Sequence, residues 1–220
     1  MPLYGREIAE TPCPALNELE GAMAGLLRLA LLLVVDVTGV SGASLDAFHT
    51  GVVESEGKAR SLLTQTSLSE RQRECLRRVG RTLESCGTIG QAAPHVRRLS
   101  VFLSSGPLEE PVREYLGTVR RGLAEIGTGV VVAVRTRDAA SSAAQLPRLQ
   151  AAMEALQPRA DALLEASRRH EGAYRLSRAT CLVVGVLWGE LEAISEDWAW
   201  DLSREAPARD VLLQPLHRAA

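Results

Sequence analysis

The sequence predicts an all-α protein: six long antiparallel helices arranged as two tandem three-helix bundles. Three observations carry that expectation. Leu, Val and Ala recur at alternating steps of three and four along six segments, the spacing of a helical stripe and not the two-residue alternation of a strand. Aromatic residues make up only 4% of the 220, so the core has to be built from aliphatic side chains. The stretches between the stripes are rich in Gly, Ser, Thr and Pro, and one of them, "SSGP", divides the helices three and three.

The first helix carries Leu16, Leu19, Met23, Leu26, Ala30, Leu33 and Val37. Its end, "LLLVVDVTG", is rich in β-branched residues, but the stripe runs through it, which makes "TGVSG" a helix stop with Gly39 as its C-cap. The second helix, with weaker apolar content, carries Leu45, Phe48, Val52, Ser55, Ala59 and Leu62. The third carries Leu76, Val79, Leu83, Cys86, Gly90 and Ala93, opened by the capping-box pattern Ser67-x-x-Glu70.

The fourth helix carries Val112, Leu116, Val119, Leu123, Ile126, Val130 and Ala133, straight through the valine run of "TGVVVAVRTRD". Leu146, Leu149, Met153, Leu156, Ala160 and Leu163 mark the fifth, and Val184, Leu187, Leu191, Ile194 and Trp198 the sixth. Pro94 and Pro158 fall inside the third and fifth helices, where a kink or local break is expected. The breaks are "TGVSGAS", "TQTSLS", "SSGPLEEP" and "RTRDAASSAAQ", with the last near "GAYRLS".

The resulting organisation is a linker over 1–13, a three-helix repeat over 14–105, a second over 106–206 and a tail over 207–220. Shifting the chain by 108 residues lays Leu76, Val79, Leu83 and Cys86 on Val184, Leu187, Leu191 and Ile194, as a duplicated unit would.

Bulk properties exclude several classes. A formal net charge of −2 gives no general attraction to nucleic acid or anionic lipid. The four cysteines, 13, 75, 86 and 181, form no CxxC pair and are expected to be reduced. The most apolar run, 29-LALLLVV-35, falls far short of the ~20 residues that span a bilayer. The N-terminus lacks the pattern of a secretory signal.

Enzyme signatures are missing too: there is no G-x-S-x-G, P-loop or dinucleotide fingerprint. A di-metal carboxylate bundle needs Glu-x-x-His pairs, and the chain has none. His49, His95, His170 and His217 stand alone and are expected at the surface, and Cys86 reads as an inert core thiol. The basic pairs 77-RR-78, 97-RR-98, 120-RR-121 and 168-RR-169 read as solvated helix faces.

The candidate site is 190-ELEAISEDWAWD-201, with five acidic residues and two of the chain's three tryptophans. Glu192 and Glu196, four apart, fall opposite the core face, while Glu190, Asp197 and Asp201 form a stripe along its flank. Carboxylates at i and i+4 share a hard cation or repel one another, so a metal site stands beside the simpler reading of a solvated acidic face. Trp198 belongs to the core stripe and Trp200 points elsewhere.

Two three-helix repeats of about 100 residues, each with "LE" in its last helix, resemble the PhoU family of phosphate-signalling proteins. That family carries L-E-x-x-x-D motifs whose acidic residues help bind metal clusters. Leu191, Glu192 and Glu196 match with Glu in place of Asp; in the first repeat Leu83 and Glu84 match but Thr88 replaces the carboxylate. The segment "AETPCPALNELEGAMAGLLRLA" is similar to the lead-in of the cytosolic PhoU-like domain of bacterial Na/Pi-cotransporter family proteins.

The resemblance implies a non-catalytic regulatory domain of phosphate transport and homeostasis. It would lie in the cytoplasm at the inner face of the membrane and dock a transporter membrane domain or a phosphate-signalling protein. It further implies a divalent or iron cation at Glu192 and Glu196, and a homodimer as one form. A helical scaffold or self-association module without a ligand is the alternative, and neither reading involves nucleic acid.

Overall fold

The computed structural model describes residues 13–36, 42–65, 67–102 and 108–200. Among these there is no strand, and the all-α expectation holds. The helices are α1 (Pro14–Val35), α2 (Gly42–Leu63), α3 (Glu70–Gly90), α4 (Ala92–Phe102), α5 (Glu109–Gly122), α6 (Thr128–Thr136), α7 (Ala139–Ser167) and α8 (Glu171–Ala199). Only Gln91 separates α3 from α4, and a π-helical turn, Leu123–Gly127, joins α5 to α6, so the described elements form six rods.

The predicted stripes are the buried faces. On the α5–α6 rod, Val112, Leu116, Val119, Leu123, Ile126, Val130 and Ala133 are all buried, valine run included. The stripes of α3–α4 and α8 are likewise buried throughout. Full burial of one such Leu or Val contributes roughly 1.5–3 kcal/mol before entropy is charged against it. On α1 the buried set is Leu16, Leu19, Met23, Ala24, Leu27, Ala30, Leu31, Leu33 and Val34, with Leu26 of the predicted stripe only half-buried. A straight helix repeats every 3.6 residues, so its buried face drifts away from a strict seven-residue pattern. Val37 and Gly39 lie outside the described residues; α1 ends at Asp36, whose N–H donates to the Leu32 carbonyl.

Local chemistry corrects two expectations. The capping box at α3 lies two residues later than the Ser67–Glu70 pattern. Ser69 Oγ accepts from the Gln72 N–H at 3.1 Å, and Gln72 Oε1 accepts from the Ser69 N–H at 2.9 Å. Pro94 does break its helix, at Gln91, because it has no N–H for the carbonyl of buried Gly90. Pro158 does not: α7 runs unbroken through Pro147 and Pro158. The residues whose carbonyls lose their bonds there, Ala143 and Glu154, are exposed, so water can satisfy them. The turn before α8 comes at 168–170, next to "GAYRLS" as expected.

Helices α1, α2 and α3 pack on one another, as do α6, α7 and α8, with α5 against α7. One apolar core runs through both groups, because α3 and α4 also lie against α8 and α1 lies against α6. Side-chain contacts fix the directions. Arg78 meets Trp200, Arg81 meets Asp197, Ser85 meets Glu190, and Thr180 reaches the His95 carbonyl, so α3–α4 and α8 are antiparallel. No described helix is long and apolar enough to cross a membrane.

Candidate functional site

The acidic stretch of α8 divides its work between two faces. The flank stripe is turned onto α3. Ser85 Oγ donates to Glu190 Oε2 at 2.5 Å. Asp197 accepts from Arg81 through both oxygens, Nε at 2.7 Å and Nη2 at 3.3 Å, the planar fork geometry only arginine offers. These bonds raise the Arg81 pKa above its ordinary value. Trp198, buried as predicted, donates its Nε1 hydrogen to Thr82 Oγ1 at 3.0 Å. Asp201 lies outside the described residues.

Beneath this clasp is a residue the basic-pair reading misplaced. Arg77 is solvated and pairs with Glu70 and Glu74, but Arg78 is buried and donates from Nη1 to the Trp200 carbonyl at 2.8 Å. A guanidinium at this position meets the negative end of α8. Cys75, Arg78, Thr82, Ser85 and Ile89 form a second buried stripe on α3, because that helix is packed on more than one side. Glu74 sits among Arg77, Arg78 and Arg81. Burial alone would raise its pKa, but the hydrogen bond from Arg77 and the three positive charges outweigh burial and hold it below the ordinary value.

Glu192 and Glu196 face away from the core. Glu192 is half-buried, its Oε1 accepting from Gln150 Nε2 at 3.5 Å, and Glu196 is exposed. Among the described residues no group of three or more His, Cys, Asp or Glu gathers as a metal centre would require. A cation at this pair would therefore draw its remaining ligands from water or a partner. Thr88, which the sequence comparison sets opposite Glu196, donates from Oγ1 to the Glu84 carbonyl of its own helix at 3.3 Å.

A second polar cluster ties the α6–α7 corner to α1. Glu20 accepts from Cys75 Sγ at 2.8 Å and pairs with Arg137, which also reaches Asn17 Oδ1 at 3.1 Å. Arg137 takes a left-handed conformation at the end of α6, φ 54°, which is uncommon for a side-chain-bearing residue. Sequence spacing gives no hint of this cluster, whose members come from three distant segments. The buried thiols Cys75 and Cys86 are held in the protonated form. Burial, then the Glu20 hydrogen bond and charge, push Cys75 up to about 12, and burial pushes Cys86 up to about 12. His49 and His95 are half-buried and His170 exposed, while His217 lies outside the described residues.

Comparison with protein-family models, with curated proteins and with solved structures gave no match.

Proposed function

We propose that the chain is a PhoU-like regulatory module of phosphate transport and homeostasis, acting by docking and not by catalysis. The observation that supports this reading most is the packing of α3 on α8. Residues related by the 108-residue shift, Ser85 and Ala193, fall near the centre of an antiparallel contact. Ser85 bonds to Glu190 on one side of it, and Thr82 and Arg81 bond to Trp198 and Asp197 on the other. Antiparallel contact between segments related by that shift is an arrangement a duplicated unit can produce, and the resemblance rests on that duplication.

In this reading the chain works at the cytoplasmic face of a phosphate transporter, and Glu192 and Glu196 present two carboxylates to a divalent or iron cation shared with water or the partner. The test is cross-linking and co-purification from the source cells under phosphate starvation and sufficiency, with phosphate uptake measured in a deletion strain. Recovery of a phosphate-transporter or phosphate-signalling subunit together with altered uptake supports the proposal. Unaltered uptake and no such subunit overturn it.

The alternative, a self-association module without a ligand, is favoured by Leu182 and Val186, four apart on α8 and 63% and 52% exposed. Sedimentation velocity with elemental analysis separates the two: a metal-free dimer indifferent to added cations supports the scaffold.

A further inference from the structure

A groove of about 380 Å³ lies between α1, the π-helical turn and α6, within the ~300–1,000 Å³ range of small-molecule sites. Its construction follows from two facts of packing. Leu31 rests where a side chain on Gly127 would stand, since a Cβ there would come within 2.9 Å of Leu31 Cδ1. Arg137 meets Asn17 and Glu20 at the other end, so α1 and α6 run antiparallel. In that register Val35 and Leu123, with Leu32, form an apolar end of the groove, Arg135 stands toward the other end, and Arg28 and Val131 lie between.

The groove is chemically polarised. Among the described residues no carboxylate lines it. Neither Arg28 nor Arg135 has a hydrogen-bond or ion-pair partner there, whereas Arg137, two residues further on, is paired with Glu20. Leu32 is 48% exposed on this face, apolar surface left toward water. From Arg28 to Val35 is seven residues, about 10 Å at ~1.5 Å per residue. The π turn that contributes Leu123 is a distortion often found at functional sites.

The geometry points to a binding site for a medium-chain fatty-acid anion, its carboxylate between Arg28 and Arg135 and its chain along Leu32, Val35 and Leu123. Two cations with no carboxylate in the lining favour a negative head group, and an apolar stretch of about 10 Å suits a chain of medium length. The site involves none of the residues of the α3–α8 clasp or the Glu192–Glu196 pair, so it stands or falls apart from the phosphate reading.

The test is isothermal titration of the full chain with decanoate below its micelle concentration, with decanol as the uncharged control. Saturable one-site binding of decanoate is expected, about tenfold or more tighter than decanol and weakened to a similar degree in the double variant Arg28→Glu/Arg135→Glu. All three substituted side chains, including Leu32 in the second variant Leu32→Asp, are exposed or partly so, and circular dichroism checks that the variants fold. Leu32→Asp should weaken decanoate and decanol alike. Absence of saturable binding, equal affinity for decanol, or unchanged affinity in the double variant overturns the proposal. Co-sedimentation with phosphatidylglycerol vesicles without decanoate binding also overturns it, by assigning the face to a bilayer surface.

Discussion

Gly90→Ala should destabilise the protein although it replaces a poor helix former with the best one. Gly90 is the last residue of α3 and is buried against Phe48, itself fully buried. A Cβ built at Gly90 would lie 2.3 Å from Phe48 Cε1, 3.1 Å from Cζ and 3.2 Å from Cδ1. Comfortable carbon contacts are roughly 3.5–4.0 Å, and a rigid ring has no flexible end to withdraw, so the whole side chain or α2 must shift. Overpacking of this kind costs about 1–3 kcal/mol, here toward the upper end. The helix-propensity gain returns at most about 1 kcal/mol, less at a helix terminus. The net expectation is a loss of about 1–2 kcal/mol by urea unfolding. Gly57→Ala, in the exposed middle of α2 with nothing within 4 Å of its Cβ, should instead stabilise by about 0.5–1 kcal/mol. In a Phe48→Leu background the Gly90→Ala loss should largely vanish. A Gly90→Ala variant as stable as the parent, or a loss that persists without the ring, would refute the packing argument.

Other expectations follow from single residues. Ser69→Ala should cost about 1 kcal/mol by removing the α3 cap, while Ser67→Ala should stay within about 0.5 kcal/mol of the parent in the same urea assay. Iodoacetamide at mildly alkaline pH should leave Cys75 and Cys86 unmodified until the protein unfolds, as mass spectrometry of the native and denatured chains can show, because both thiols titrate only near 12. Glu74 has a folded pKa below its ordinary 4.5, so its stabilising contribution is present above that pH and is lost as the pH falls below it. Glu74→Gln should flatten the acid limb of a stability–pH profile, and an unchanged limb would exclude the arginine cluster as its cause.

Much of the fold was legible because burial on a helix depends on spacing alone. All seven residues of the stripe from Val112 to Ala133 are buried, through a run of valines that propensity would have made a strand, although Tyr115 and Val134 are buried beside it. What could not be read depended on neighbours distant in sequence. Pro94 and Pro158 look alike in the chain, yet one sits over a buried carbonyl and the other over solvent. The acidic flank of α8 was visible as a stripe, but its partners Arg81 and Ser85 lie more than 100 residues earlier, and only packing turned a solvated surface into a clasp. Arg78 was misread for the same reason: a basic pair says nothing of which member faces a second helix. The π turn at Leu123–Gly127 left no sequence mark, since the stripe passes through it unbroken.

The clasp between α8 and α3, with Glu192 and Glu196 left facing outward, is best tested by exchanging charges. Arg81 and Asp197 are 48% and 33% exposed, so solvent limits their pairing to roughly 0.2–1 kcal/mol. Arg81→Glu and Asp197→Arg should each lower stability by about 0.5–1 kcal/mol in urea, and the double exchange should recover more than half of the combined loss. Losses that simply add in the double variant would contradict the antiparallel seating of α8 on α3.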